Sequence, residues 1–135
     1  MARKIDHIGV AVNDLDEALK IYAEILGLRP EDIHQETTSD GTTRAAMLPV
    51  GESNIELLAG MQPDSFIGKY IAKRGEGIHH IAVGVADISK EIARLKAAGY
   101  PFVDQEPRTG IGGHKIAFMH PSGTKVLLEL VEVSH

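Results

Sequence analysis

The chain has 135 residues, 43% hydrophobic and 24% charged, with a formal net charge of -5 and no cysteine. That length allows one domain with a substantial core. The lack of cysteine excludes disulfides, thiolate nucleophiles and Cys-based zinc or iron–sulfur sites, so a metal would have to sit on histidine nitrogens and carboxylate oxygens. The acidic balance argues against nucleic acid as a partner, which needs a basic face, and no apolar run approaches the roughly 18 residues of a membrane-spanning helix.

In chain order, residues 5–12 are β-branched and apolar enough for a strand. This strand pattern starts almost at the first residue, which predicts no signal or transit peptide and a cytoplasmic location. Residues 14–26 carry Leu15, Ala18, Leu19, Tyr22, Ile25 and Leu26 at helical spacing. Asp14 with Glu17 resembles a capping box, and Gly27 suits the left-handed position after a helix. Strands are expected at about 31–36, 43–50 and 53–59. Pro63 to Gly77 reads as a short helix, on Phe66, Ile67, Tyr70 and Ile71, and a glycine-rich linker. A strand follows at 78–85, then a weaker helix at about 88–98 through Ile88, Ile92 and Leu95. Further strands are expected at about 101–105, 114–119 and 125–132.

The second half rewrites the first. Asp-His-Ile-Gly-Val-Ala-Val at 6–12 is matched 73 residues later by His-His-Ile-Ala-Val-Gly-Val at 79–85, with four of seven positions identical. Asp14-Leu15 is matched by Asp87-Ile88, and Ile55-Glu56-Leu57 by Leu128-Glu129-Leu130, each at the same offset. The helical patterns end on Gly27 and Gly99. The expected fold class is therefore α+β: one domain over 1–135, with module one at about 4–60, a linker helix at about 61–77 and module two at about 78–133. Each module is β-α-β-β-β.

Strand alternation sorts these residues by face. Ile8, Val10 and Val12 share one face for packing under the helix, and His7, Gly9 and Ala11 share the other. In the second copy His80 lies with Ala82 and Gly84, again beside small residues that would leave a hollow before the imidazole. Glu56 and Glu129 each sit between two aliphatic residues and must point away from them; burial there is costly without a cation or donors. A lone histidine or glutamate in such a setting is more often structural. Here both positions are duplicated with the same His-to-Glu spacing of 49 residues. Two neutral imidazoles and two carboxylates, His7, Glu56, His80 and Glu129, form a neutral set around one divalent ion, suited to zinc, cobalt, nickel, manganese or iron.

The Asp-His-Ile-Gly-Val-Ala-Val start, the central Gly-Glu-Gly-Ile-His-His-Ile-Ala-Val segment, Phe118-Met119-His120-Pro121 and the Val126 to Leu130 end resemble the methylmalonyl-CoA epimerase family of the vicinal oxygen chelate superfamily. The loop from Gly110 to Lys115 strengthens that resemblance, which covers nearly the whole chain. It implies an open cupped β-barrel made by pairing the two modules, and His7, His80 and Glu129 as metal ligands, with Glu56 where members carry Gln or Glu. It also implies a homodimer and a cobalt preference. The implied reaction interconverts the C2 stereoisomers of an acyl-CoA through an enolate, with Glu129 as an acid–base residue. Some members carry a second catalytic Glu on the strand after the first helix. The matching stretch here, Gly41 to Met47, has no carboxylate, which leaves Glu56, Glu36 or a water for that role. A glyoxalase I-type lyase acting on a glutathione hemithioacetal and a non-catalytic binding protein on the same scaffold are the alternatives. His114, Lys115, Arg108 and the pair Lys73-Arg74 are weaker candidates for a CoA phosphate. His34, His120 and His135 lack partner spacing and receive no function.

Overall fold

The computed structural model describes residues 1–133, in which eight strands and four α-helices form. His135 lies outside the described residues. Among the described residues no helix is long and apolar enough to cross a membrane. Contacts divide the chain into two compact units, Ile8–His79 and Met1–His7 with His80 onward.

The Ile8–His79 unit takes the later part of β1 (Lys4–Ala11), α1 (Leu15–Leu26), β2 (His34–Thr37), β3 (Thr43–Val50), β4 (Ser53–Gly60) and α2 (Phe66–Arg74). Its strand order is β2-β3-β4-β1, with β2, β3 and β4 antiparallel. Helix α1 starts where the sequence expects: Asp14 Oδ1 accepts the Glu17 N–H at 3.1 Å, a cap typically worth about 1 kcal/mol. It ends where Gly27 turns left-handed at φ 70°, and Leu28 N–H then returns to the Ala23 carbonyl. Its apolar stripe packs Leu15, Ala18, Leu19, Tyr22 and Leu26 against Val12, Leu48 and Leu57. Ile25, expected in that stripe, is 73% exposed. At 100° per residue it lies about 80° round the helix from Leu15, at the margin of the buried sector.

The other unit takes Lys4–His7 of β1, then β5 (Gly77–Val85) from His80 on, α3 (Ile88–Ala97), β6 (Arg108–Thr109), β7 (Lys115–Met119), α4 (Pro121–Thr124) and β8 (Leu128–Glu132). Its strand order is β1-β5-β8-β7-β6, with β5 and β8 parallel and β7 and β8 antiparallel. The start of α3 is tied twice: Asp87 caps Lys90 N–H, and Glu132 Oε2 accepts Ile88 N–H at 3.2 Å. Under α3, Ile88 and Ile92 pack with Val85, Phe102, Ala117, Met119 and Leu130.

Three strand expectations are corrected. The strand expected from residue 31 begins at His34, because Pro30–Asp32 form a 3-10 turn with proline at its first position. No strand forms at 101–105: Phe102 makes one isolated bridge to Met119, and the carboxylate of Asp104, rather than a strand backbone, takes the Phe118 N–H at 2.8 Å. The edge strand is the short β6 instead. At 125–127 the chain is still turning, since Lys125 is left-handed at φ 70°, and β8 starts at Leu128. Ile8, expected under the helix, is 36% exposed, while Val10 and Val12 do pack there.

The two extremes of burial give a stability test. Ile88 is fully enclosed, so Ile88→Ala removes aliphatic volume that cannot be refilled without rearrangement and should cost about 2–5 kcal/mol in urea unfolding. Ile25→Ala, on the open flank of α1, should stay within about 0.5 kcal/mol of the parent.

Candidate metal centre

Strand alternation builds the site in the unit that contains His7 and His80. On β5, Val83 and Val85 face α3, while His80, Ala82 and Gly84 are buried on the opposite side. On β8, Leu128 and Leu130 join the core under α3, so Glu129 between them emerges on the same side as His80. The register sets Glu129 across from Ala82 on β5 and from Phe118 on β7. The start of the chain brings β1 alongside, with Arg3 N–H donating to the Gly84 carbonyl at 2.7 Å.

Three ligand-type atoms converge as a result. His7 Nε2 lies 3.0 Å from His80 Nε2 and 3.0 Å from Glu129 Oε1, and His80 Nε2 lies 3.1 Å from the same oxygen. All three residues are buried, at 3–4% exposure. The two imidazoles meet edge to face, and Phe118 presents an edge-on ring to His80 at 5.5 Å. Behind His7, its Nδ1 lies 2.8 Å from Asp6 Oδ2. That hydrogen bond holds the Asp6 carboxyl below its ordinary range, against the opposing effect of burial.

The electrostatics of this cluster are one-sided. Burial by itself would raise the Glu129 carboxyl; hydrogen bonds and charge from His7 and His80 outweigh it and bring the group to about 2. The carboxylate is therefore ionised through the neutral range. Its depressed pKa stabilises the fold above the ordinary carboxylate range, and that contribution is lost as pH falls through about 2. An ionised Asp6 can only accept, so Nδ1 of His7 donates to it, and Nε2 faces Glu129 with a second ring proton or, once that proton is given up, with a lone pair. A lone pair facing a carboxylate oxygen and a second imidazole nitrogen needs positive charge among them, a proton or a cation. The donor types, two imidazole nitrogens and a carboxylate oxygen, are those that hold a zinc-like divalent ion. His7, His80 and Glu129 thus form a donor set that could hold a divalent ion.

Glu56, the fourth expected ligand, sits on β4 between Ile55 and Leu57, which both join the α1 core, and is itself buried at 4% exposure. It pairs in register with Met47. His79 takes the other face, as its place in the repeat requires: it is buried edge-on between Phe66 and Tyr70 of α2, with ring centroids at 5.6 and 4.6 Å. The hollow expected beside Gly84 is filled, since a Cβ there would meet the Val133 side chain at 3.0 Å. The strand directly after α1 is β2, not the Gly41 to Met47 stretch, and it carries Glu36, bonded through Oε1 to Nε2 of His34 at 2.8 Å. His34 thus has a local carboxylate partner that pairwise spacing between the copies did not reveal. Of the weaker candidates, Arg108 lies over the Phe118 ring at 5.5 Å and bonds Asp104, while Arg108 and Lys115 line an open cleft of about 580 Å³ beside α3. Lys73 and Arg74 close α2. The residue missed by the sequence reading is Asp6. Its only signal was adjacency to His7, and alternation along the strand argued that it pointed away.

Comparison with known proteins gives a consistent picture. Residues 6–118 match a profile described as the Glyoxalase/Bleomycin resistance protein/Dioxygenase superfamily. An ethylmalonyl-CoA/methylmalonyl-CoA epimerase of Cereibacter sphaeroides is 33% identical, covering 98% of this chain and 100% of its own. A methylmalonyl-CoA epimerase solved in complex with methylmalonyl-CoA and NH4+ is 38% identical, with a TM-score of 0.91 over 99% of this chain and 96% of that one. A Streptomyces coelicolor methylmalonyl-CoA epimerase variant in complex with 2-nitronate-propionyl-CoA is 37% identical, with a TM-score of 0.90 over 99% and 96%. The α+β fold is the one these structures share, from end to end of the chain.

Neighbouring histidines provide the sharpest test of the donor set. Replacing His80 with Ala removes one corner of the cluster, and dialysis followed by elemental analysis should find bound divalent metal lost. His79→Ala opens the aromatic contact with Phe66 and Tyr70 and should leave the metal in place. The reverse pattern would mean the wrong member of the pair had been assigned.

Proposed function

We propose that this chain, which belongs to the Glyoxalase/Bleomycin resistance protein/Dioxygenase superfamily, is a metal-dependent epimerase that interconverts the C2 stereoisomers of methylmalonyl-CoA. The single observation that carries this reading is the convergence of His7, His80 and Glu129 within 3.1 Å, all three buried on one side of the sheet. It is supported by epimerase relatives similar over essentially the whole chain. The enzyme class is isomerase, acting on an acyl-CoA thioester.

The ligand set of the proposal is His7, His80 and Glu129, with Glu56, the counterpart of Glu129 one repeat earlier, as the fourth. Cobalt is the ion the resemblance favours; a homodimer and a cytoplasmic location belong to the same proposal. Epimerisation requires loss of the proton from the carbon between a thioester and a carboxylate, and its return on the other face. A divalent ion in the cluster supplies Lewis-acid stabilisation of the negative charge that develops on the substrate oxygens. The protein's own residues do the rest. The paired imidazoles fix the orientation of the Glu129 carboxylate, and Phe118 packs edge-on against His80.

Glu129 is proposed as ligand and as one acid–base group. With its carboxyl held at about 2 it is a weak base, so it can act only on a C–H bond made acidic by charge stabilisation at the neighbouring oxygens. The candidates for the other acid–base group are Glu36, Glu56 and a water, since the Gly41 to Met47 stretch carries no carboxylate.

The deciding experiment is proton–deuterium exchange at C2 of methylmalonyl-CoA in heavy water, with methylglyoxal plus glutathione as the control substrate. Exchange with the acyl-CoA and no lactoylglutathione is the expected result; the opposite result would make the chain a glyoxalase-type lyase, and activity on neither would favour a binding protein.

Separating the two roles of Glu129 takes one substitution. Glu129→Gln keeps an oxygen donor and the side-chain shape while removing the titratable group. Metal should be at least partly retained while C2 exchange falls by at least about 10²-fold, the usual loss with a general base. Retained metal with near-normal exchange would reduce Glu129 to a ligand and move the base to Glu36 or Glu56.

A further inference from the structure

We infer that Asp6 is a positioning residue for the centre: it fixes His7 as the tautomer that presents Nε2, a role that rests on the metal-dependent reading above. The Asp6 Oδ2 to His7 Nδ1 contact is 2.8 Å and partly buried. Lys4 Nζ stands 3.9 Å from the other Asp6 oxygen, on the side away from the ring contact. That ammonium pairing is long, at the limit of an ion pair, whereas the ring contact is short and constrains the imidazole. A carboxylate has no proton to give, so Nδ1 must donate. Whenever the ring is neutral, its lone pair is then on Nε2, the atom that meets His80 and Glu129 at 3.0 Å. Polarisation by the carboxylate also makes that nitrogen a better donor to a cation, the general effect of a carboxylate behind a ligating histidine.

The repeat makes the arrangement one-sided. In the second copy the position of Asp6 is taken by His79, which is buried against the edges of Phe66 and Tyr70 and is no carboxylate. The acid that precedes His7 is therefore not repeated before His80, where the chain has His79. Neighbouring strand residues ordinarily point to opposite faces, and the Asp6 side chain overcomes that by reaching round to the Nδ1 edge of the ring.

The experiment uses the full chain with ¹⁵N-labelled histidine, read first without metal. Long-range proton–nitrogen spectra should show His7 protonated at Nδ1 in the parent. Asp6→Ala should mix the tautomers, and Asp6→Asn, which keeps an accepting oxygen but not the charge, should preserve the parent tautomer. Cobalt affinity, measured by competition with a chelator, should then fall about 10–100-fold in Asp6→Ala and by less in Asp6→Asn. Unchanged tautomer and affinity in Asp6→Ala would overturn the assignment, as would equal losses in both variants, which would point to general damage. If the parent protein takes up no cobalt while the His7 tautomer still follows Asp6, the metal reading fails and the positioning role stands.

Discussion

Three atoms that all carry lone pairs sit within 3.1 Å of one another in a buried part of the sheet, and such a cluster is tolerable only if positive charge stands among them. Much of the surrounding structure follows from meeting that demand. The carboxylate must be pinned, so it lies on β8 between two leucines that pull their own side chains into the core under α3. The first imidazole must present a defined nitrogen, so an acid stands behind it. The second must be held at a fixed angle, and the ring of Phe118 meets it edge-on. Desolvating charged and polar groups in this way costs several kcal/mol without compensation, and the aliphatic packing on the opposite sheet face offsets it.

Division of labour between the two faces of each strand explains how a small chain accommodates both tasks. One face of β5 and β8 gives Val83, Val85, Leu128 and Leu130 to the helix-covered core; the other gives His80, Ala82, Gly84 and Glu129. In the other unit, β4 repeats the scheme with Ile55 and Leu57 turned towards α1 and Glu56 buried between them. The small residues beside His80 have a packing purpose. Gly84 leaves room for the Val133 side chain and the stem of Lys4, which a Cβ there would meet at 3.0 and 3.4 Å.

Duplication made most of this legible in the sequence. The helix starts at Asp14 and Asp87, the end of α1 at Gly27, the burial of His7, His80, Glu56 and Glu129, and the turning away of His79 all follow from periodicity read in two copies. What escaped the reading depends on contacts that periodicity does not encode. The segment around Phe102 has strand-like composition, but Asp104 captures the backbone donor that a strand there would have used. Residues 125–127 look extended until Lys125 adopts a left-handed turn. Ile8 and Ile25 are apolar and rightly spaced, yet they stay 36% and 73% exposed. Asp6 was set aside by the same alternation rule that found His7, because a side chain can bend round to a ring edge in a way a face assignment ignores.

The connection between β7 and β8 fixes a parity. After Met119 the chain makes the short helix Pro121–Thr124 and the left-handed Lys125 before Glu129 meets Ala82 and Phe118 in register. Side chains on a strand alternate with a period of two, so a shift of one residue exchanges the faces completely. A single-residue insertion or deletion in this turn that slid β8 by one place would send the Glu129 carboxylate into the aliphatic core and a leucine into the polar cluster. A two-residue change would restore the pattern of faces with a different neighbour opposite each side chain. A turn that absorbs an added residue by itself leaves both faces as they are, so what the Pro121–Lys125 segment must preserve is the position at which β8 begins, not its own length.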